Sequence, residues 1–167
     1  LEQPYRCASL TACIDQIRRL SVDIRSNELP DDVKPVVVGI TGYGNVSKGA
    51  QEVIDLLPAT QISADDLRKG LNRLPPSNGG MYKVVFEEKD MFRLKDRSNP
   101  FVLQDYYTYP EKYESAFMDV APFLSIMVNC IFWTDAYPRL LTRNDIREIY
   151  RSSNPRLRVI GDISCDI

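Results

Sequence analysis

Short apolar runs rich in β-branched and aromatic residues recur along the chain, and polar or turn-forming residues bound each of them. Runs of this kind predict strands. The five predicted strands lie within residues 35–40, 60–63, 82–86, 125–133 and 157–162. The first run is apolar at nearly every position, which is typical of a strand buried on both faces of a parallel sheet.

Apolar residues at helical spacing occupy the segments between these runs. Residues 7–25 predict an amphipathic helix whose apolar face consists of Leu10, Ile14, Ile17 and Val22. Further helices are predicted over 51–57, 65–73, 111–118 and 143–151. Thr142 is a good N-cap for the last of these. Residues 87–110 have no clear period, and an irregular stretch of that length is often functional or mobile.

The alternation of strands and helices predicts an α/β fold with a doubly wound, mostly parallel sheet of the Rossmann-like kind. Residues 1–30 form a leading helix and linker in this interpretation, and residues 31–167 form the single Rossmann-like domain. The chain begins without a methionine and stops abruptly after residue 167. We therefore expect a domain excised from a two-domain enzyme.

The composition excludes several function classes. The 167 residues contain no histidine, so this chain alone cannot form a Ser–His–Asp or Cys–His site, an HExxH zinc site or a C₂H₂ finger. The formal charge of −2 gives no indication of nucleic-acid binding. The longest apolar stretches are far shorter than the ~20 residues that span a bilayer. We expect no nucleic-acid, membrane or metal site.

The four cysteines show no CxxC spacing and fit reduced thiols in an intracellular protein. They are Cys7, Cys13, Cys130 and Cys165. A catalytic role for Cys130 or Cys165 is disfavoured, because the chain has no histidine that would activate a thiol.

A glycine-rich segment, Thr-Gly-Tyr-Gly-Asn-Val-Ser-Lys-Gly-Ala at 41–50, follows the first predicted strand and opens a helix. In this context Gly42 permits a tight turn, Gly44 permits close approach of a pyrophosphate, and Ser47 occupies the third glycine position. Amides of the first helical turn would then face the phosphates. The Walker alternative is excluded, because Lys48 is not followed by Ser or Thr. A glycine-rich turn without a ligand remains the bland alternative.

The position about 20 residues after the first glycine distinguishes NAD from NADP, since an acidic residue there bonds the ribose 2′-hydroxyl. That position falls near Ser63, which is uncharged and can donate to a 2′-phosphate. Arg68 and Lys69 are nearby cations, so NADP(H) is favoured over NAD(H). Asp65 and Asp66 would oppose a 2′-phosphate if they pointed inward.

Two further strand ends are candidates, because ligands of such sheets lie at the carboxyl ends of the strands. Phe132 and Trp133 follow the fourth predicted strand and would wall a nicotinamide pocket or, alternatively, belong to an aromatic core. Residues 162–166 follow the fifth and form either a site edge or a plain exit loop.

Five segments in this order strongly resemble the lysine-ketoglutarate reductase part of the α-aminoadipic semialdehyde synthases. They are 41–52, 119–122, 128–133, 138–143 and 161–166. The resemblance runs from about residue 5 to the end and places the chain with the saccharopine, alanine and transhydrogenase-type dehydrogenases. Residues 72–98 match less clearly, and they lack histidines that family members often carry there.

The resemblance implies an NADPH-dependent condensation of L-lysine with 2-oxoglutarate to saccharopine, the first step of lysine degradation, in a bifunctional enzyme. A separate N-terminal domain would supply the proton-transferring residues, so we expect no catalytic residue in this chain and no activity of the fragment alone. The implied cofactor contacts are Gly42, Gly44, Asn45 and Val46 at the pyrophosphate, Ser63 at the adenosine ribose, Phe86 and Ile131 flanking the dinucleotide, and Asp162, Ile163, Ser164 and Cys165 at the nicotinamide end.

Two other functions remain open from the sequence. One is the NAD-dependent, lysine-forming saccharopine dehydrogenase, which runs the related reaction in reverse. The other is a Rossmann-like module that senses a dinucleotide or binds a partner without catalysis. An oligomer is possible, and the expected location is mitochondrial or cytosolic.

Overall fold

The computed structural model describes residues 3–27, 29–97 and 99–163. Its helices and strands alternate for most of the chain. In chain order they are α1 (Leu10–Asn27), β1 (Val36–Thr41), α2 (Asn45–Ile54), β2 (Thr60–Ile62), α3 (Ala64–Arg68), β3 (Met81–Phe86), α4 (Glu88–Met91), β4 (Phe92–Leu94), α5 (Leu103–Thr108), β5 (Tyr113–Ser115), β6 (Ile126–Asn129), α6 (Arg143–Arg151) and β7 (Val159–Asp162).

Five of the strands form one parallel sheet in the order β2–β3–β1–β6–β7. The register places Gly39 of β1 between Val84 of β3 and Met127 of β6. Helices accompany the sheet, so the predicted α/β, Rossmann-like fold is confirmed. All five predicted strands are present at their expected places.

The order of the strands differs from their order along the chain. β3 pairs with β1 along its whole length, from Val36 opposite Met81 to Thr41 opposite Phe86. β2 pairs with the far side of β3 and forms the edge of the sheet. The strand that ends before Ser63 is therefore separated from the glycine-rich segment by a whole strand.

The two faces of the sheet pack against different layers. On one face, Val38 and Ile40 pack with Cys130 against Ala50 and Ile54, the latter two belonging to α2. The other face contributes to a larger apolar cluster with α3, α6 and the segment between β3 and β6. The fully buried members of that cluster include Val37, Leu67, Val84, Phe86, Met91, Phe117, Val120 and Leu124. Since both faces are covered, β1 is apolar at nearly every position.

Within the stretch predicted to be irregular, 87–110, the described residues form α4, β4 and α5. β4 and β5 pair antiparallel, with Phe92 opposite Ser115. Tyr106 of α5 stacks on Phe92 at 4.9 Å between ring centroids and meets Tyr113 edge-on at 5.3 Å. These rings pack the β4–β5 pair against the larger apolar cluster.

The helix predicted over 111–118 is wrong. Tyr113–Ser115 is a strand, and Phe117–Asp119 is a single 3-10 turn. Tyr113 is 1% exposed and its hydroxyl donates to Asp105 at 3.0 Å. Pairing with β4 and burial of this ring outweigh the weak local helical preference.

Three other predicted helices differ in detail. In α1 the buried residues are Ser21 and Ile24, whereas the predicted face residues Leu10 and Val22 are 76% and 61% exposed. Val22 is exposed because it lies about 100° around the helix from Ser21. α2 begins at the glycine-rich segment and ends at Ile54 rather than at residue 57. α3 ends at Arg68, shortly before Gly70, which has a φ of +100°. The helix over 143–151 and its Thr142 cap are confirmed.

A buried cation ties α2 to the sheet. The side chain of Lys83, in the middle of β3, is 5% exposed, and its ammonium lies 2.5 Å from the carboxylate of Asp55. Asp55 is the C-cap of α2, so the ammonium also lies near the negative end of the helix dipole. This ion pair offsets the cost of burying a lysine in the sheet.

We expect Asp55→Ala to lower the free energy of unfolding by about 1–2 kcal/mol, because the ammonium of Lys83 is left buried without its carboxylate. The expected loss of unfolding free energy is smaller than for a fully buried ion pair because Asp55 itself is half exposed. Urea denaturation measures the change. The double variant Asp55→Ala/Lys83→Met should recover much of the loss, and a single variant as stable as the parent would contradict this account.

Candidate dinucleotide site

The glycine-rich turn begins at a residue that only glycine fits. Gly42 is buried with a φ of +81°, and its N–H donates to the carbonyl of Phe86 at 2.9 Å. A Cβ at this position would lie 2.8 Å from Cγ2 of Ile131. The turn therefore joins the ends of β1 and β3 beneath Ile131, which lies two residues after β6.

The start of α2 faces open space. Gly44 is the N-cap and supplies no side chain to the helix end, and a Cβ there would meet no described heavy atom within 4 Å. Asn45 and Val46 are exposed, whereas Ser47 is fully buried against the sheet. The first-turn amides and the positive end of the dipole are thus presented to an anion.

The three small residues of α2 have different surroundings. The small residues at 47, 49 and 50 were expected to let the helix pack closely on the sheet. This is right for Ser47 and for the half-buried Ala50. Gly49 is exposed, and a Cβ there would meet no described atom within 4 Å.

A cleft of about 400 Å³ opens beside the turn. Most of its lining side chains are aromatic, apolar or both. The lining comprises Gly42, Tyr43, Gly44, Glu88, Met91, Phe92, Tyr106, Tyr107, Cys130, Ile131, Phe132, Trp133, Tyr137 and Pro138. The sequence-predicted Gly42, Gly44 and Ile131 therefore come together at one cleft, with Asn45 and Val46 next to them in the helix.

Two aromatic residues of this cleft do not belong to the core. Phe132 is 78% exposed. Trp133 donates from Nε1 to the carbonyl of Tyr137 at 3.1 Å, and the guanidinium of Arg139 lies 4.1 Å from its ring centroid. The geometry favours the cleft-wall interpretation of this pair over the aromatic-core alternative.

A chain of polar groups connects three strand ends. The Thr41 hydroxyl donates to Oδ1 of Asn129 at 2.7 Å, and Nδ2 of Asn129 donates to Asp162 at 2.9 Å. The N–H of Cys130 donates to the Thr41 hydroxyl at 3.1 Å. Sequence analysis missed Thr41 and Asn129, although a polar residue closing an apolar strand was a usable signal.

The structure describes two of the four residues predicted at the nicotinamide end. Asp162 ends β7 and Ile163 is 55% exposed, with its N–H donating to the carbonyl of Asn129 at 3.0 Å. Ser164 and Cys165 lie outside the described residues.

Burial, and then the Asp162 carboxylate, raise the pKa of the Cys130 thiol. A thiol held protonated in this way is a poor nucleophile.

Ser63 does not lie beside the glycine-rich turn. It ends the edge strand and is the N-cap of α3, where its hydroxyl donates to Asp66 at 2.6 Å and accepts from the Asp66 N–H at 3.1 Å. Arg68 bonds Asp65 at 2.8 Å, and Lys69 lies 3.0 Å from Asp66. Each of the three groups expected to receive a 2′-phosphate is thus already paired with Asp65 or Asp66.

The ring of Phe86 also lies away from the cleft. It is fully buried and meets Phe117 edge-on, with 5.1 Å between centroids. Only its carbonyl reaches the turn, where it accepts from Gly42. A side-chain contact of Phe86 with a dinucleotide does not follow from this placement.

Sequence analysis missed two carboxylates next to the turn. Glu87 follows β3 directly, and Lys89 lies 2.8 Å from it. Glu88 lines the cleft and accepts from the Tyr107 hydroxyl at 2.7 Å. Burial, together with the Glu88 carboxylate, raises the pKa of Tyr107, which keeps this phenol a donor. Knowledge of the strand order was needed to find the pair.

No family model matches the chain. It is 35% identical to the alpha-aminoadipic semialdehyde synthase of Arabidopsis thaliana over 98% of its length. The corresponding mitochondrial proteins of Mus musculus and Bos taurus are 31% and 30% identical over 87% and 81% of this chain. The chain belongs to the alpha-aminoadipic semialdehyde synthase family. It spans 16%, 15% and 14% of the length of these three relatives, so it corresponds to one segment of them.

The described ranges contain neither a membrane-spanning helix nor a metal-binding cluster. None of the helices there combines the length and apolar character needed to cross a bilayer. The same residues contain no group of three or more Cys, Asp or Glu side chains arranged to hold a metal ion.

We expect Gly42→Ala to destabilise the fold by about 1–3 kcal/mol, since alanine is strained at a φ of +81° and its Cβ would press on Ile131. Gly49→Ala is the matched control, and it should stabilise by about 0.5–1 kcal/mol because Gly49 is an open position within a helix. Urea unfolding of the two variants measures both. Equal effects in the two variants would contradict the assigned strain.

We expect the α3 cap to depend on pH. Hydrogen bonds from Ser63 and then Lys69 lower the pKa of Asp66 from 3.8 to about 2. Because the folded-state pKa lies below the unfolded one, the cap stabilises fully above about pH 4, and this contribution is lost as pH falls towards 2. NMR titration of the Asp66 carboxyl tests this. Ser63→Ala should return its pKa towards 3.8, and a parent value already near 3.8 would refute the assignment.

Proposed function

We propose that this chain is the nicotinamide-dinucleotide-binding part of a lysine-ketoglutarate reductase, which forms saccharopine in lysine degradation. The observation that carries the proposal is the uncapped start of α2, held open at Gly44 beside an aromatic cleft. The relationship to the alpha-aminoadipic semialdehyde synthases supplies the reaction class.

In this proposal the cofactor contacts fall into two regions of the chain. The first-turn amides of α2, at Asn45 and Val46, would receive the pyrophosphate. Phe132 and Trp133 would wall the nicotinamide ring, and the Asn129–Asp162 pair would border it. When bound, the dinucleotide supplies the hydride that reduces the imine formed between lysine and 2-oxoglutarate.

The proton transfers of that reaction are proposed to lie outside this chain. It has no histidine, the Cys130 thiol is held protonated, and the polar strand ends are engaged in mutual hydrogen bonds. The chain's task is to position the hydride donor while a separate domain binds L-lysine and 2-oxoglutarate. The names of the mammalian relatives favour the mitochondrial of the two expected compartments.

NADP(H) as the preferred cofactor stays a prediction. It depended on Ser63, Arg68 and Lys69, and the intramolecular partners of these residues weaken it. The NAD-dependent, lysine-forming dehydrogenase is consequently retained as the second candidate function.

We expect the chain to bind NADH or NADPH saturably and to form no saccharopine. The single tryptophan, Trp133, lies in the cleft, so quenching of its fluorescence reports binding. Gly44→Asp should abolish binding, because it places a carboxylate where the pyrophosphate would lie, at a φ of −74° that any residue adopts.

Gly49→Asp is the matched control, since it adds the same charge to an exposed position of the same helix. It should bind within about threefold of the parent. Absence of saturable binding by both dinucleotides, or equal binding by the two aspartate variants, would refute the proposal. Saccharopine formation by the purified chain would refute the division of labour.

A further inference from the structure

Because β3 and not β2 lies beside β1, the position that would bind the adenosine ribose differs from the one predicted by residue spacing. In dinucleotide-binding sheets, the residue that ends the strand beside the glycine-rich turn bonds the adenosine ribose. Here that strand is β3, since Thr41 lies opposite Phe86 and the Gly42 N–H bonds the Phe86 carbonyl. The next residue is Glu87. It lies much further along the chain from the first glycine than the usual interval of about 20 residues.

A second carboxylate follows directly in the chain and lines the cleft. Glu88 lines the cleft together with Gly42, Tyr43 and Gly44. The Tyr107 hydroxyl donates to it at 2.7 Å and holds the carboxylate at the cleft. The segment after β3 thus places two consecutive carboxylates beside the turn. Glu88 lines the cleft, and Glu87 lines the neighbouring hollow together with Ser63 and Lys89.

Three cations near the end of β3 are already partnered. Lys89 lies 2.8 Å from Glu87, and Arg68 bonds Asp65 and the carbonyl of Asp90 at 2.8 and 2.7 Å. Lys69 lies 3.0 Å from Asp66. A 2′-phosphate, which carries about two negative charges, would have to break one of these pairs and approach two carboxylates.

We infer that Glu87 and Glu88 make this site selective for NAD(H) and against NADP(H), an inference that rests on the proposed dinucleotide site. A free ribose donates its hydroxyls to a carboxylate, whereas a 2′-phosphate is repelled by one. This preference is opposite to the one that Ser63 suggested in the sequence.

Parallel titrations of the chain with NADH and NADPH, followed by Trp133 quenching and calorimetry, test the inference. The parent should bind NADH at least about tenfold more tightly. Glu87→Gln/Glu88→Gln should improve NADPH affinity by about tenfold while leaving NADH equal or weaker, because the repulsion is removed and Lys89 is released. The ratio in the parent should also shrink with added salt.

Glu148→Gln controls for net charge, since it removes one exposed carboxylate from α6, and it should keep the parent ratio. Circular dichroism confirms that each variant is folded. A parent that prefers NADPH, or a double variant with an unchanged ratio, would overturn the inference while leaving the dinucleotide site intact. A parent that binds neither dinucleotide would overturn the proposed function, and the inference with it.

Discussion

The turn at Gly42 is the constraint on which the site depends. Its N–H is bonded to the last residue of β3, its positive φ redirects the chain away from β1, and Ile131 closes over it from the end of β6. Three strand ends are thereby fixed relative to the first turn of α2. A side chain at this point would separate them, so the cleft and the helix terminus share one steric requirement.

Local sequence was sufficient for several features that depend on neighbouring residues. The buried strand, the glycine turn and the helix after it follow from apolar run, glycine placement and small residues, and the Thr142 cap follows from its spacing to Asp145. The strand at Tyr113 was not predictable in this way. Its hydrogen-bonding partner, β4, and the rings that bury it come from elsewhere in the chain.

The strand order is the more consequential case of the same limit. Counting residues from Gly42 assumes that the next strand in the chain is also the next strand in the sheet. Here β3 is inserted between β1 and β2, so Ser63 is placed at the edge and its hydroxyl serves the α3 cap. The interval from the first glycine identifies the ribose-binding residue only when the second strand of the chain is also the neighbour of the first strand in the sheet.

In the proposed function, a chain without histidine contributes to an oxidoreductase through its backbone and its strand ends. Parallel strands bring their carboxyl ends to one edge, so a domain needs only backbone amides, a few apolar walls and the charges at those ends to hold and choose a dinucleotide. At one side of the turn, the polar side chains of three strand ends are hydrogen-bonded in a chain formed by Thr41, Asn129 and Asp162. At the other side the carboxylate of Glu88 faces the cleft. In the two proposals, the first group positions the dinucleotide and the second selects between dinucleotides, and neither role requires proton transfer by this chain.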